Sequence, residues 1–439
     1  MGRCASFIRR RYLPFVLVAL VAGSAFSTAA QTECSDGFAG IYPCHLVDLV
    51  SLVTPAQLGV QPGEIVNDLW GWTDPVSGRE YAVVGLSNGT AFVDLASPAQ
   101  PVVLGRLPTR TVSAPWRDVK VYGNHALVVA DGVGPHGMQV FDLTGLRNVA
   151  FPPVTFQPTA LYFGEAFDLG SAHNIAVGEG TGYVYVVGSG TCAGGLHVVD
   201  LSVPDRPAFA GCFAGDGYTH DAQCVVYRGP DSGFNGSEIC FNSNEDSLTV
   251  VDVTNKSAMT LLSRTAYPGW AYTHQSWLTE DHRYLLLNDE LDEQFFGHGT
   301  RTYIWDVADL RAPEVIGTYT AASSAVDHNL YIRDGLAYLA NYTSGLRILD
   351  LAQVSSGALS EVAFFDIVPA SDIAQHTGAW SVYPFFSSGY VTVTGTNQGL
   401  FVLRPRLPSE PDGLPRPGRS DGRARRTRRV QRSAETRRF

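Results

Sequence analysis

Six-residue stretches of alternating bulk recur along this chain, most of them opened by glycine and closed by aspartate. They are Gly89-Thr-Ala-Phe-Val-Asp94, Gly137-Met-Gln-Val-Phe-Asp142, Gly195-Leu-His-Val-Val-Asp200, Ser247-Leu-Thr-Val-Val-Asp252, Arg301-Thr-Tyr-Ile-Trp-Asp306, Gly345-Leu-Arg-Ile-Leu-Asp350 and Gly399-Leu-Phe-Val-Leu-Arg404. Alternation at a period of two marks a strand. Upstream of each, a polar pair heads a second apolar run: Asn67-Asp68, Arg117-Asp118, His173-Asn174, His220-Asp221, His274-Gln275, His328-Asn329 and His376-Thr377. Both halves occur seven times, consistently offset, at a spacing of 44–58 residues. A unit of about 40–50 residues holding about four short strands is a propeller blade. The pattern predicts an all-β chain, a single closed seven-bladed β-propeller over residues 31–403. One blade cannot bury its own faces. The repeats must therefore form one body, not the two or three domains that 439 residues could otherwise hold.

Blade four shows the expected layout, with innermost strand A from Asp221 to Tyr227 and strand B from Glu238 to Phe241. Strand C runs from Leu248 to Asp252 and outer strand D near Leu261 to Ala266. The strand C aspartate often precedes a proline, as in Asp94-Leu-Ala-Ser-Pro98. An Asx turn explains this, the carboxylate accepting from backbone N–H groups as the chain reverses. After Leu403 the chain turns to Pro405, so the last repeat lacks an outer strand. Val47-Asp-Leu-Val-Ser-Leu-Val53 resembles the outer strand of other blades. It is expected to supply the missing strand, closing the ring and removing its free edges.

Composition adds a compartment. Arg9-Arg10-Arg11, the apolar run Leu13 to Ala22 and the small residues Ser27 to Ala30 make residues 1–30 a secretory signal. The run is too short to favour an anchor, so no membrane span is expected once it is removed. Cys4 leaves with it, and six cysteines in an exported chain point to disulfides. The blade layout puts Cys224 and Cys240 on one hairpin and Cys192 and Cys212 at one edge of the preceding blade. It leaves Cys34 and Cys44 to staple the N-terminal segment. The expected bridges are therefore Cys34–Cys44, Cys192–Cys212 and Cys224–Cys240. A metal–thiolate site is the rival, but the C-x-x-C spacing is missing.

Charge is uneven. Residues 404–439 carry twelve Arg against four acids, and residues 1–30 carry four Arg. Of 31 basic and 42 acidic residues the body keeps 15 and 38, a net charge of about −23. So acidic a body disfavours nucleic acid and suits cations or a saline environment. The Arg/Pro-rich residues 404–439 are expected to be a disordered tail.

Asn67-Asp-Leu-Trp-Gly-Trp72, Trp116-Arg-Asp-Val-Lys120, Ala172-His-Asn174, Tyr218-Thr-His-Asp221, Tyr272-Thr-His-Gln275, Asp289-Glu-Leu-Asp-Glu293, Asp327-His-Asn329 and Asn341-Tyr-Thr-Ser-Gly-Leu-Arg347 together look like a known family. The chain resembles the choice-of-anchor B family, whose repeats are called LVIVD repeats, over nearly all of residues 34–403. The resemblance implies an exported bacterial β-propeller, often of the cell surface, with no established enzymatic activity. Members commonly carry C-terminal anchoring or sorting segments. This chain departs from that pattern after Leu403, where neither an apolar helix nor a sorting motif is evident.

Three constellations could carry chemistry. The first is the ring of polar pairs, which should surround one mouth of the central channel. Asp68, Asp118, His173, His220, Asp221, His274, His328 and His376 are candidates there for a transition metal or small ligand. The competing reading is a folding device, each histidine hydrogen-bonding within its own blade. The second is Asp289, Glu290, Asp292 and Glu293, four carboxylates in the B–C loop of blade five that could hold Ca²⁺ on the same face. A solvated acidic loop is the alternative. The third is aromatic: Trp70, Trp72, Trp116, Trp277, Trp380 and Tyr342 could stack on sugars or anchor a partner, although burial between blades is expected for most. Enzyme signatures are sparse. Gly85-Leu-Ser-Asn-Gly89 has the Gly-x-Ser-x-Gly form, but it lies in a hairpin loop and not at a strand-to-helix turn.

The leading expectation is an exported, non-catalytic propeller, extracellular, periplasmic or on the cell surface. It would bind a protein, glycan or surface component through its His/Asp-lined face. The alternative is a metal-dependent hydrolase or lactonase using the channel mouth. The cofactor candidates are Ca²⁺ or a transition metal ion.

Overall fold

A computed structural model describes residues 31–165, 168–178 and 180–407. The signal reading of residues 1–30 and the disorder reading of the tail beyond Leu407 fall outside the described residues. Seven blades, each built on four antiparallel strands, stand in a ring, and Val154–Thr155 adds a short parallel strand to the first. Their innermost strands are Val66–Thr73, Arg117–Tyr122, Asn174–Gly178, Asp221–Val226, Thr273–Leu278, Leu330–Arg333 and Ala379–Tyr383. Each touches the next, and the seventh returns to the first.

The apolar side chains sort into seven clusters, and each cluster lies between two adjacent blades. In strand B of blade one, Glu80–Leu86, Val83 packs toward blade two beside Val119 and Val128. Its neighbours Ala82 and Val84 pack toward blade seven beside Leu400 and Val402. Successive side chains of a strand point to opposite faces, so a strand between two blades must be apolar on both. The repeat thus has no core of its own, and closure of the ring creates every core it has.

Closure follows the expected route. Val47–Val53 pairs antiparallel with Gly399–Pro405 as the outer strand of blade seven. Arg404 and Pro405 continue that strand two residues beyond the boundary expected at Leu403, opposite Asp48 and Val47. Arg406 then pairs with the buried Asp48 at 3.0 Å. Ahead of this strand, the hairpin Phe38–Ala39 and Tyr42–His45 extends blade six through Cys44 and His45 opposite Phe365 and Phe364. One N-terminal segment therefore spans two blades. Disulfides join Cys34 to Cys44, Cys192 to Cys212 and Cys224 to Cys240, the signature of an oxidising compartment. Among the described residues no helix is long and apolar enough to cross a membrane.

All six strand C aspartates make the expected turn. Asp94, Asp142, Asp200, Asp252, Asp306 and Asp350 each accept from the N–H two residues on, at 2.7–3.0 Å. Ser87 exchanges hydrogen bonds with the Ile65 backbone and is buried, so the Gly-x-Ser-x-Gly stretch is a hairpin turn.

Candidate functional site

Each innermost strand starts at the same mouth of the channel, so the polar pairs meet there. Their second members stitch blades together. Asp68 accepts from the Val119 N–H of blade two at 3.1 Å, and Asp118 from Ile175 of blade three at 2.8 Å. Gln275 accepts from Leu330 of blade six at 2.7 Å. Asp221 instead accepts from its own neighbour Ala222. These groups satisfy backbone donors that the ring would otherwise bury unpaired.

Asp68 and Asp118 do not face the mouth as free ligands. Lys120, two residues beyond Asp118 on the same strand face, lies between them, with Nζ 3.3 Å from Asp68 and 2.5 Å from Asp118. All three are buried, and the ammonium sits 5.1 Å from the Trp70 ring centre. A protein cation fills the place expected for a metal. Asn329 of blade six reaches across to Asp68 and to Ser381, completing a polar layer in mid-channel. On the far side, Trp70, Trp277, Tyr331, Tyr383 and Phe385 form an aromatic collar. Most of them border a cavity of about 560 Å³.

The mouth itself is a spiral of imidazoles. The rings of His173, His220, His274 and His328 follow one another at centroid distances of 4.3, 4.2 and 4.3 Å. The expected bond within each histidine's own blade does not form. His220 Nδ1 donates to the His274 carbonyl of the next blade at 2.8 Å, and His328 Nδ1 to the Trp380 carbonyl at 2.5 Å. The acceptor is in both cases a backbone carbonyl of the neighbouring blade. It fixes the tautomer and leaves Nε2 as a free lone pair. Burial, reinforced for His220 by the charge of His173, holds both rings well below the usual histidine range. Both are therefore neutral and competent to ligate. His173 differs, its Nδ1 lying 2.9 Å from Asp131.

The first residue after strand B also reaches this mouth. Asp131, Glu290 and Tyr342 occupy that position in blades two, five and six. Glu290 lies 3.7 Å from His274 Nε2, 3.8 Å from His328 Nε2 and 3.9 Å from His376 Nε2. Tyr342 donates to it at 2.8 Å. Burial pushes the Glu290 carboxyl up to about 7. One ligand atom each from His274, Glu290 and His328 fall within 4.8 Å of one another, so three donors converge from two blades.

The acidic loop of blade five does not present its carboxylates as one solvated set. The chain folds there into a short helix, Asp292–Phe296, which sends them in three directions. Asp289 turns back and accepts from Tyr267, Ala271 and Tyr272, pinning the connection from blade four. Glu290 joins the imidazoles. Asp292 and Glu293 are buried beside His298, outside the mouth. Reasoning from sequence singled out neither Asp131 nor His298. Strand B register could have found Asp131, and the spacing from Asp292 could have found His298. Of the aromatic candidates, Trp72 and Tyr342 are buried and Trp116 is exposed.

Comparison with known proteins finds the LVIVD repeat at residues 169–214, which hold the strands of blade three, and at 241–266, which hold the two outer strands of blade four. No curated protein matches. Similar solved structures include a protein from Lactobacillus plantarum at 14% identity and TM-score 0.47, covering 75% of this chain and 88% of that one. A functionally unknown protein from Desulfotomaculum acetoxidans aligns at 10% identity and TM-score 0.45, over 68% and 88%. The Swd1 β-propeller domain of Myceliophteria thermophila aligns at 11% and 0.46, over 74% and 93%. The chain is thus an all-β, seven-bladed propeller that carries LVIVD repeats.

Proposed function

We propose that this is an exported, non-catalytic binding propeller of the choice-of-anchor B type, and that its recognition element is a transition-metal site at the channel mouth. His274, Glu290 and His328 are the ligands, with His376 at the rim. The observation that carries this reading is the convergence within 4.8 Å of one carboxyl and the His274 and His328 imidazoles, which burial, with the charge of neighbouring histidines for His274, holds well below the usual histidine range. Imidazole donors favour a transition metal over Ca²⁺, which takes oxygen ligands. The space beneath the imidazoles is only about 20 Å³, room for a water or an ion and not for a sugar. A protein or glycan partner would sit on the rim and complete the coordination with a carboxylate or hydroxyl oxygen. Elemental analysis of the purified chain tests this. One equivalent of zinc, nickel or copper should be bound, and His274→Ala or Glu290→Gln should lose it. Retention of that metal by both variants would exclude the mouth as its site.

A hydrolytic reading rests on the same ligands. Two His and one carboxylate with an open fourth position is the ligand arrangement of hydrolytic zinc centres. His220 stands 4.2 Å from His274 with Nδ1 held by a carbonyl, so its Nε2 is left to accept a hydrogen bond from a water at that position. Turnover of simple esters or lactones by the zinc-loaded chain, abolished in His220→Ala with zinc still bound, would support this reading over pure binding.

A further inference from the structure

A second group of ionisable side chains, buried except for the partly exposed His298, lies beside the mouth, and the ring of imidazoles makes no use of it. Asp292, Glu293 and His298 come from the B–C loop of blade five. Asp327 comes from the connection into blade six. Asp292, Glu293 and His298 are each held by one polar atom and have another unpaired, and Asp327 is held by neither oxygen. Asp292 Oδ2 accepts from Tyr303 at 3.0 Å, while Oδ1 is buried without a partner. Glu293 Oε1 accepts from the Arg301 N–H at 3.0 Å, while Oε2 has none. His298 Nδ1 donates to the Gly299 carbonyl at 2.9 Å, and its buried Nε2 is left free. Both oxygens of Asp327 are buried without a partner, and the residue is wholly inaccessible.

Such an arrangement is costly as it stands. A buried carboxyl oxygen without a donor loses its hydration for nothing, and a second carboxylate nearby adds repulsion. No Lys or Arg pairs with any of the four among the described residues; the one charged contact is His298 with Asp292 at 3.6 Å. Burial, followed by the charges of Glu293 and Asp292, pushes the Asp327 carboxyl well above the usual range. The fixed halves have the form of outer-shell contacts in a metal centre. Backbone and tyrosine groups orient Asp292, Glu293 and His298 and leave one ligand atom of each unpaired.

We propose that Asp292, Glu293, His298 and Asp327 form a second, buried divalent-cation site, distinct from the mouth, which pins the B–C loop of blade five to the start of blade six. Three of the four donors already offer ligand atoms within 4.8 Å of one another. One imidazole with three carboxylates suits a cation of the Mn²⁺ or Zn²⁺ class. It is a poor match for the six to eight oxygens that Ca²⁺ takes. The bound ion would brace the segment that supplies Glu290 on one side and His328, next to Asp327, on the other. It would also stiffen a loop that displays Phe295 and Phe296, 70% and 56% exposed, toward solvent.

The test uses the full chain, stripped with chelator and then titrated separately with Mn²⁺, Zn²⁺ and Ca²⁺, with bound metal measured after gel filtration. Mn²⁺ or Zn²⁺ should bind to this site at one equivalent, and hydrogen exchange across residues 290–300 should slow at least tenfold. Glu293→Gln and Asp327→Asn keep the shapes of the side chains and should each lose that equivalent. His274→Ala, which removes the mouth site, should retain it, so the failure of one site is separable from failure of the other. Binding by Glu293→Gln and Asp327→Asn at the wild-type level would overturn the proposal. So would a wild-type chain that takes up no metal beyond what His274→Ala removes, in which case Asp292 and Glu293 share a proton. Chelator-stripped wild type provides the same comparison if a variant fails to fold.

Discussion

Lys120 is the most testable residue in the channel. Replacing it with Met keeps the length and most of the volume of the side chain but removes the positive charge between Asp68 and Asp118. At an effective dielectric of about 20, a charge pair 3.3 Å apart attracts by about 5 kcal/mol before desolvation. Desolvation offsets much of that in the intact pair, but the variant keeps the desolvated carboxylates and loses the attraction. The expected cost is therefore about 3–5 kcal/mol, as for removal of one member of a buried pair. Val119 and Ile175 still donate to the two carboxylates, which limits the loss. Asp118, whose carboxyl burial already holds well above the usual range against the pull of Lys120, should take up a proton in the variant. Chemical denaturation at pH 7 and pH 5 measures the effect, and the deficit should shrink at the lower pH. The double variant Asp118→Asn/Lys120→Met should be more stable than Lys120→Met alone. A loss below about 1 kcal/mol for Lys120→Met, or strict additivity in the double variant, would refute the account of Lys120 as counter-ion.

Two further predictions concern the frame. His136 is buried, with Nε2 3.2 Å from Arg117 and Nδ1 donating to the Gly137 carbonyl. Burial, followed by the Arg117 charge, lowers its pKa from 6.5 to about 4. The unfolded chain therefore binds a proton between pH 6.5 and 4 that the folded chain does not, so this stability is present above pH 6.5 and lost as pH falls toward 4. Relative to His136→Gln, the wild type should lose on the order of 3 kcal/mol across that window in urea titrations; parallel curves would contradict this. Gly317, in outer strand Glu314–Thr320 of blade five, has backbone of Gly357 where a Cβ would stand. Gly317→Ala should lower the melting temperature by several degrees, and an unchanged value would show that the turn at Gly357 yields freely.

What could be read from the sequence was local. A glycine, an alternating strand and an aspartate encode one strand with its turn, because the Asx bond closes within two residues of Asp94, Asp252 or Asp350. Seven such copies define seven blades, and the one missing outer strand identifies Val47–Val53 as the closing segment. The cysteine pairs followed from the same register. The chemistry of the mouth was legible only in its residue types. Whether His220 bonds within its blade or to the carbonyl of His274 depends on how closely one blade approaches the next at the axis. The side chains inside one repeat do not encode that distance. Asp118 and Lys120 stand two apart on one strand and so share a face, but only ring closure brings Asp68 to the same ammonium. The run from Asp289 to Glu293 reads as one cluster because its residues are adjacent in sequence. A single turn of helix is enough to send Asp289 to a neighbouring connection, Glu290 to the imidazoles, and Asp292 and Glu293 toward His298. Local hydrogen bonding thus determined the blades, whereas the clustering of the imidazoles and carboxyls was decided by the packing of one blade against another.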